Sequence, residues 1–397
     1  MNSQGKKESS RLFYLDNLRS TALVLGLVFH AAIVYGDTIG YAIKSSKRHI
    51  AYDLFCYWIH CFRMPLFFFL SGYFSKLILE KKGIESFLDS RLKRILVPSL
   101  VGIIALAPIQ YYIEFLNANN YIPFLEYYPK FFFTQGEFAL SHIWFLVYLF
   151  FYSLLIILAR KLGLKGDAPN SKLLYILFPL LTIHFLLFVN GKFHRGFAIY
   201  GIDVFLFFFY FSFYLAGIFS FSLPDLWRTD QNFPADFKSN WSANSESNIN
   251  AETRTLFPFL LLFLLAVLSY LGLYYFETID PLWMYYGGQR WILRVFHFGF
   301  LSISAWTWIF FLIRLFKLSL NFENSFTLYM KDSSLAIYLI HHPISLILGF
   351  TLERYALGVH TSFLIQCLGT IVLSYTIYEV LVRKSRLLQF LLGTIHP

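Results

Sequence analysis

Runs of about 20 apolar residues recur along this chain, each long enough to cross ~30 Å of hydrocarbon as an α-helix. In that medium every backbone polar group must be satisfied internally, so such runs become helices packed side by side. Composition agrees. Of the 397 residues 57% are hydrophobic, 48 are Phe and only 14% are charged, against about 25% charged in ordinary soluble domains. The reading is an all-α integral membrane protein of about ten transmembrane helices. They fall near 14–36, 52–79, 95–116, 143–160, 173–190, 198–221, 256–276, 291–313, 334–353 and 360–381.

An even number of spans puts both termini on one side. With the N-terminus inside, the inner segments hold 22 Lys and Arg and the outer loops 8, so positive-inside bias predicts cytoplasmic termini. The net charge of +10 follows from this clustering and not from a continuous basic tract. Membrane lipid is therefore an expected partner and nucleic acid is not. Cys56, Cys61 and Cys367 all lie in apolar runs, with neither a disulfide framework nor metal-ligand spacing. Lys6 and Lys7 loosely resemble a signal peptide, but Asp16 and Arg19 interrupt the run that follows, which reads as a retained first span. The Ser- and Asn-rich stretch "FKSNWSANSESNINAETR" reads as part of a flexible cytoplasmic linker, about 222–255. Residues 1–397 then form a single membrane domain, and any chemistry occurs inside it.

Charged and titratable groups are costly in hydrocarbon and mark candidate sites. In "DNLRSTALVLGLVFH", Arg19 and His30 are eleven residues apart, which returns to within ~20° of one helix face with ~16 Å of rise. His30 is a candidate general base; Asp16 pairs with or orients Arg19. In "IHCFRMPLFFFLSGYF", His60 and Arg63 share a face at i,i+3, and Ser71-Gly72 allows close packing. Arg63 has no acidic partner in its own helix, so it needs an internal anion or a polar cavity. Arg91 and Arg94, one turn apart, suit phosphate recognition. His142 and Trp144 open "SHIWFLVYLF" at the outer interface. His341 and His342 sit mid-span beside Pro343; adjacent histidines diverge, so at most one is expected to face a cavity. The pair lacks a third metal ligand nearby. Asp203, expected inside span six, and Glu379, near the inner end of span ten, are acidic candidates, each as a partner for an arginine. "YYGGQR", 285–290, reads as an outer turn. On residues alone the result is a polar, basic cavity in a helix bundle, fit for bond-making or for moving an anion.

These segments, in order, resemble the membrane-bound acyltransferase type 3 family. The resemblance rests on Arg19 and His30 with ten residues between them, "FFFLSGYF", "RLKR", "HIWFL" and "YLIHHP", with "YLDNLRS", "FHAAIVY" and "YEVLVRKSRLLQFLLG". The middle, about 160–330, carries little of it. The resemblance implies an acyltransferase of the bacterial inner membrane. Its donor would be cytoplasmic acyl-CoA, a co-substrate and not a tightly bound cofactor, and its acceptor an outward-facing carbohydrate. In the glucan-modifying subgroup the group is succinyl and the acceptor a periplasmic glucan, in company with glucan-synthesis proteins. It carries a catalytic role to Arg19 and His30 and a CoA-phosphate role to Arg91 and Arg94; the reading of the residues themselves adds Asp16, His60, Arg63, Ser71, His142, Trp144, His341, His342 and Glu379 as supporting cavity residues. O-acetylation of another surface carbohydrate, or transport of succinate or acylated glucan, are the alternatives.

Overall fold

The computed structural model describes residues 12–134, 138–164, 166, 173–190, 198–199, 201–227, 246–279, 291–355 and 357–394. Apolar runs become helices here, as the cost of an unpaired backbone in hydrocarbon demands. Helix α1 spans Phe13–Ala32 and α2 spans Ile50–Arg91. The chain stays helical through 92–106, passing short α3 (Val97–Val101) between two π-helical turns, into α4 (Ala107–Asn117). This 68-residue run would reach about 100 Å if straight. It is broken at Gly83, whose φ of +79° favours glycine, and the chain turns back there, so that Arg91 reaches Ser75. Then come α5 (Phe124–Phe133), α6 (Trp144–Lys161), α7 (Leu174–Asn190), the hairpin β1 (Ala198–Ile199) and β2 (Ile202–Asp203), α8 (Val204–Ser220) and α9 (Pro224–Trp227). The chain closes with α10 (Glu246–Ile279), α11 (Trp291–Ser319), α12 (Ser325–Leu352), α13 (Val359–Ile377) and α14 (Arg386–Leu391).

Among the described residues, six helical stretches are long and apolar enough to cross a membrane, and Leu177–Val189 and Val204–Ser220 are shorter apolar helices. The protein is an all-α, multi-pass membrane protein. Several boundaries differ from expectation. The second helix runs twelve residues past 79 to Arg91. Ala198–Ile199 pairs with Ile202–Asp203, so Asp203 is not inside a span; it caps α8, accepting from the Leu206 N–H at 2.8 Å. The segment 222–255 is not wholly a linker. Trp227 is buried and stacked on Tyr73 at 4.0 Å, which docks its beginning, and from Glu246 the helix of the apolar run extends back through it. Residues 228–245 and 285–290 lie outside the described residues.

Close packing sets the frame. A Cβ at Gly72 would collide with the Tyr214 carbonyl, and one at Gly217 with the Phe69 carbonyl. Helices α2 and α8 therefore meet backbone to backbone through two glycines, the small-residue device of membrane helices. Helix α1 packs against α2, α11, α12 and α13, which sets it among the other helices of the bundle.

Candidate active site

Four histidine rings from three parts of the chain meet near the C-terminal end of α1. The His30 ring centroid lies 4.4 Å from that of His342 and 5.3 Å from that of His341. His142, in the turn before α6, stacks on His342 at 4.7 Å and lies 5.7 Å from His341. Both members of the adjacent pair thus face the cluster, contrary to the expectation that only one would. His30 and His142 occupy the groove between two side chains about 100° apart on α12, so each touches both.

Tyr41 joins the cluster from the 33–49 loop. Its hydroxyl lies 3.1 Å from His30 Nδ1 and 2.8 Å from His342 Nε2. One hydroxyl proton serves two rings, so Tyr41 donates to one imidazole and accepts from the other. Burial raises the Tyr41 pKa above its ordinary value, which keeps that proton in place. The loop is tied down on several sides. Lys44 Nζ donates to the carbonyls of Ile33 and Gly36 at 2.8 and 2.6 Å. Buried Asp53 accepts from the N–H groups of Asp37 and Thr38 and from the Thr38 hydroxyl, at 2.7–2.9 Å. Ser46 N–H donates to Glu353 at 2.8 Å.

Pro343 fixes His142. Proline has no N–H, so the Leu339 carbonyl, four residues earlier, loses its helical partner. His142 Nε2 occupies that acceptor at 3.1 Å. The other face of His142 meets Gln110 of α4, with Nδ1 3.1 Å from Oε1, and the Ser141 hydroxyl donates to the same oxygen. Ser141 has φ +48°, a left-handed backbone held by this network. The Tyr338 hydroxyl closes the turn by donating to the His142 carbonyl.

Arg63 brings the cluster its positive charge. It is nine-tenths buried and has no ion pair among the described residues. Its guanidinium packs on Gly26, where a Cβ would lie 2.6 Å from Nη1, and over Phe29 at 4.7 Å from the ring centroid. His60 is exposed and stacks on Phe29 at 6.1 Å. Arg63 Nε, His341 Nε2 and His342 Nδ1 are all buried without a hydrogen-bond partner. Buried polar atoms left unpaired are rare in native structures and call for an occupant. Among the described residues no group of three or more His, Cys, Asp or Glu side chains is arranged to hold a metal ion.

The other end of the bundle gathers arginines. Arg91 Nη2 donates to the Ser75 hydroxyl at 3.0 Å, and that hydroxyl accepts from Tyr214 at 2.8 Å and donates to the Ser71 carbonyl at 2.7 Å. Ser71 thus enters by its backbone alone. Arg91 also lies over Phe87, at 4.5 Å, and Arg94 sits in the π-helical turn that follows, a geometry frequent at functional sites. Arg19 and Arg94 both lie close enough for their charges to act on Arg91. Arg19 is exposed, 5.4 Å from the Phe74 ring centroid, and Asp16 acts on it. Three like charges brought together favour an anion between them. Helix α1 runs unbroken from Arg19 to His30, so it links the two clusters with about 16 Å of rise.

Trp144 and Glu379, like Asp203, join neither cluster. Trp144 belongs to an aromatic stack with Tyr210, at 5.2 Å. Glu379 accepts from Arg383 at 2.9 and 3.1 Å on an exposed face; a long, solvated i,i+4 neighbour takes it out of the cavity. Tyr41, Gln110, Ser141, Tyr338, Ser75 and Tyr214 were not singled out from the sequence. Only the Pro343–Leu339 spacing gave any signal, since it announces one free carbonyl.

A family model described as an acyltransferase domain matches residues 12–379. Glucans biosynthesis protein C of Escherichia coli (strain K12) is 24% identical over 96% of this chain and 94% of its own length. The protein of the same name from Shigella dysenteriae serotype 1 (strain Sd197) shows the same identity and coverage. No solved structure matches.

Proposed function

The chain belongs to the acyltransferase domain family, and from that premise we propose that it moves a succinyl group from cytoplasmic acyl-CoA to a hydroxyl of a periplasmic glucan. In this reading residues 1–397 act as one domain of ten spans in the bacterial inner membrane, with cytoplasmic termini. The glucan acceptor rests on the likeness to glucans biosynthesis protein C.

The observation that carries the reading is the asymmetry of His30. Its Nδ1 is engaged by Tyr41, its ring is only half buried, and its Nε2 has no hydrogen bond among the described residues. With Tyr41 donating to His342 Nε2, His30 Nδ1 carries a hydrogen and Nε2 offers a lone pair. That tautomer suits a general base. The buried His341 and His142 each hold a nitrogen against a helix carbonyl, so they brace the base and leave it the reachable one.

Arg91 and Arg94, with Arg19 beside them, hold the CoA phosphates at the cytoplasmic mouth, and the thioester reaches along the α1 stripe to His30. The acceptor oxygen attacks the thioester carbonyl carbon while its proton passes to His30 Nε2. The C–S bond then breaks, and the thiolate takes the proton from His30. An ester and free CoA result, and no cofactor is consumed.

Proteoliposomes given succinyl-CoA and glucan test this. Wild-type protein releases CoA only when acceptor is present, and mass spectrometry finds succinyl ester on the glucan. His30→Gln lowers that rate by about 10³-fold or more. A variant that succinylates glucan at the normal rate would overturn the assignment of His30.

A further inference from the structure

A dicarboxylic acyl group carries its second carboxylate only two methylenes from the thioester carbonyl. When that carbonyl stands beside His30, the carboxylate must also enter the bundle. A carboxylate taken out of water without a cation is costly, usually several kcal/mol after relaxation. Succinyl transfer at His30 therefore requires a buried, unpaired cation within a short chain's reach of it.

Arg63 meets that requirement. Among the described residues it is the cation whose charge acts on His30, His341 and His342 together. No carboxylate pairs with it, and its Nε is buried without a partner. Its guanidinium lies against Gly26, four residues before His30 and so on the same face of α1, about 6 Å away along the axis. Phe29 covers one face of the guanidinium plane, leaving its edge for an oxygen ligand. His342 Nδ1, also unpartnered, carries a hydrogen in the tautomer that frees His30 Nε2, and so adds a second donor.

We infer that Arg63 is the acyl-group selector: its guanidinium receives the distal carboxylate of a dicarboxylic acyl donor while His30 acts at the thioester. This rests on the succinyl reading above and explains why an arginine is tolerated there. A permanent anion compensates a desolvated guanidinium throughout the bound state, whereas an oxyanion exists only in passing.

The experiment compares succinyl-CoA with butyryl-CoA, in which a methyl replaces the carboxylate, for wild-type protein, Arg63→Met and Arg63→Lys in proteoliposomes. Wild type prefers succinyl. Arg63→Met lowers kcat/KM for succinyl about 100-fold more than for butyryl, as loss of a partner to a charged group does. Arg63→Lys keeps part of the preference. Equal losses on both donors would overturn the assignment and make Arg63 a transition-state or packing residue. If Arg63→Met is inactive with every donor, Arg63→Lys decides by the same ratio. A wild type that uses butyryl as well as succinyl overturns the dicarboxylic reading itself, whatever Arg63 does.

Discussion

The two ends of α1 hold polar clusters built on opposite plans. At the His30 end the bases are held from behind and left open in front. Tyr41 secures Nδ1 of His30, the Leu339 carbonyl secures His142 and the Ile337 carbonyl secures His341 at 3.0 Å. At the Arg19 end one arginine is anchored, through Ser75 and Phe87, and two others are brought near enough for their charges to act on it. Orientation is the purpose of the first plan, because a proton transfer needs a lone pair aimed within hydrogen-bond reach. The second plan accumulates charge, because holding phosphates needs positive potential more than a fixed angle. Damage at the two ends should accordingly appear in different kinetic constants.

Tyr41→Phe attacks the first plan most directly. It keeps the ring and its packing but removes the hydroxyl that links His30 to His342. The His30 tautomer is then no longer set, and kcat falls by about 10²-fold, less than the loss from a misassigned tautomer in a fully coupled triad. KM for the acyl-CoA donor stays within about twofold, since no ground-state contact to the donor is lost. The check is a kcat and KM pair from initial rates of acceptor-dependent CoA release. A rise in KM with kcat unchanged would erase the contrast between the two ends.

Arg94→Ala probes the second plan with a smaller effect. Arg91 is a poor choice for this purpose because its loss also strips the Ser75 hydroxyl of a partner. Arg94 lies in the π-helical turn, and its removal should raise the donor KM about tenfold through the loss of one charge-assisted phosphate contact, with kcat nearly unchanged. Higher salt should shrink the difference between wild type and variant, because exposed charge is screened. Equal KM at low and high salt would show that Arg94 does not read phosphate.

The two plans were unequally legible in the sequence. A histidine or arginine in an apolar run stands out by cost alone, and His30, Arg63, His341 and His342 are all visible that way, whereas Arg91 shows by its spacing from Arg94 and His142 by its place at the head of an apolar run. Their convergence is not, because it depends on how α1, α6 and α12 pack. Tyr41 lies in a connection between spans and looks like any interfacial tyrosine. Its position follows from Lys44, Asp53 and Glu353 closing the loop, contacts up to 307 residues apart in the chain. Ser75 and Tyr214 are equally silent, since small hydroxyls and tyrosines are ordinary in membrane helices. The helices were legible in place and order where the apolar runs are long, although α2 runs about three turns past its expected end. The reading failed where a docked aromatic, Trp227, or a capped hairpin end, Asp203, replaced what composition reads as linker or span.

Pro343→Ala yields the smallest effect and the finest distinction. Alanine restores an N–H aimed at the Leu339 carbonyl, and His142 Nε2 must then share its acceptor. Removing a proline from a helix interior relieves up to about 3 kcal/mol of backbone cost, so thermal stability should rise. The rate should still fall, by about three- to tenfold, because His142 is freer to turn and His342, stacked on it, loses its backing for the Tyr41 bond. A variant that gains stability while losing activity would mark the proline as a positioning device, in the usual opposition between a relaxed scaffold and a working site. If both stability and kcat rise, the His142–Leu339 contact is packing only, and the ordered end of α1 then reduces to His30, Tyr41 and His342.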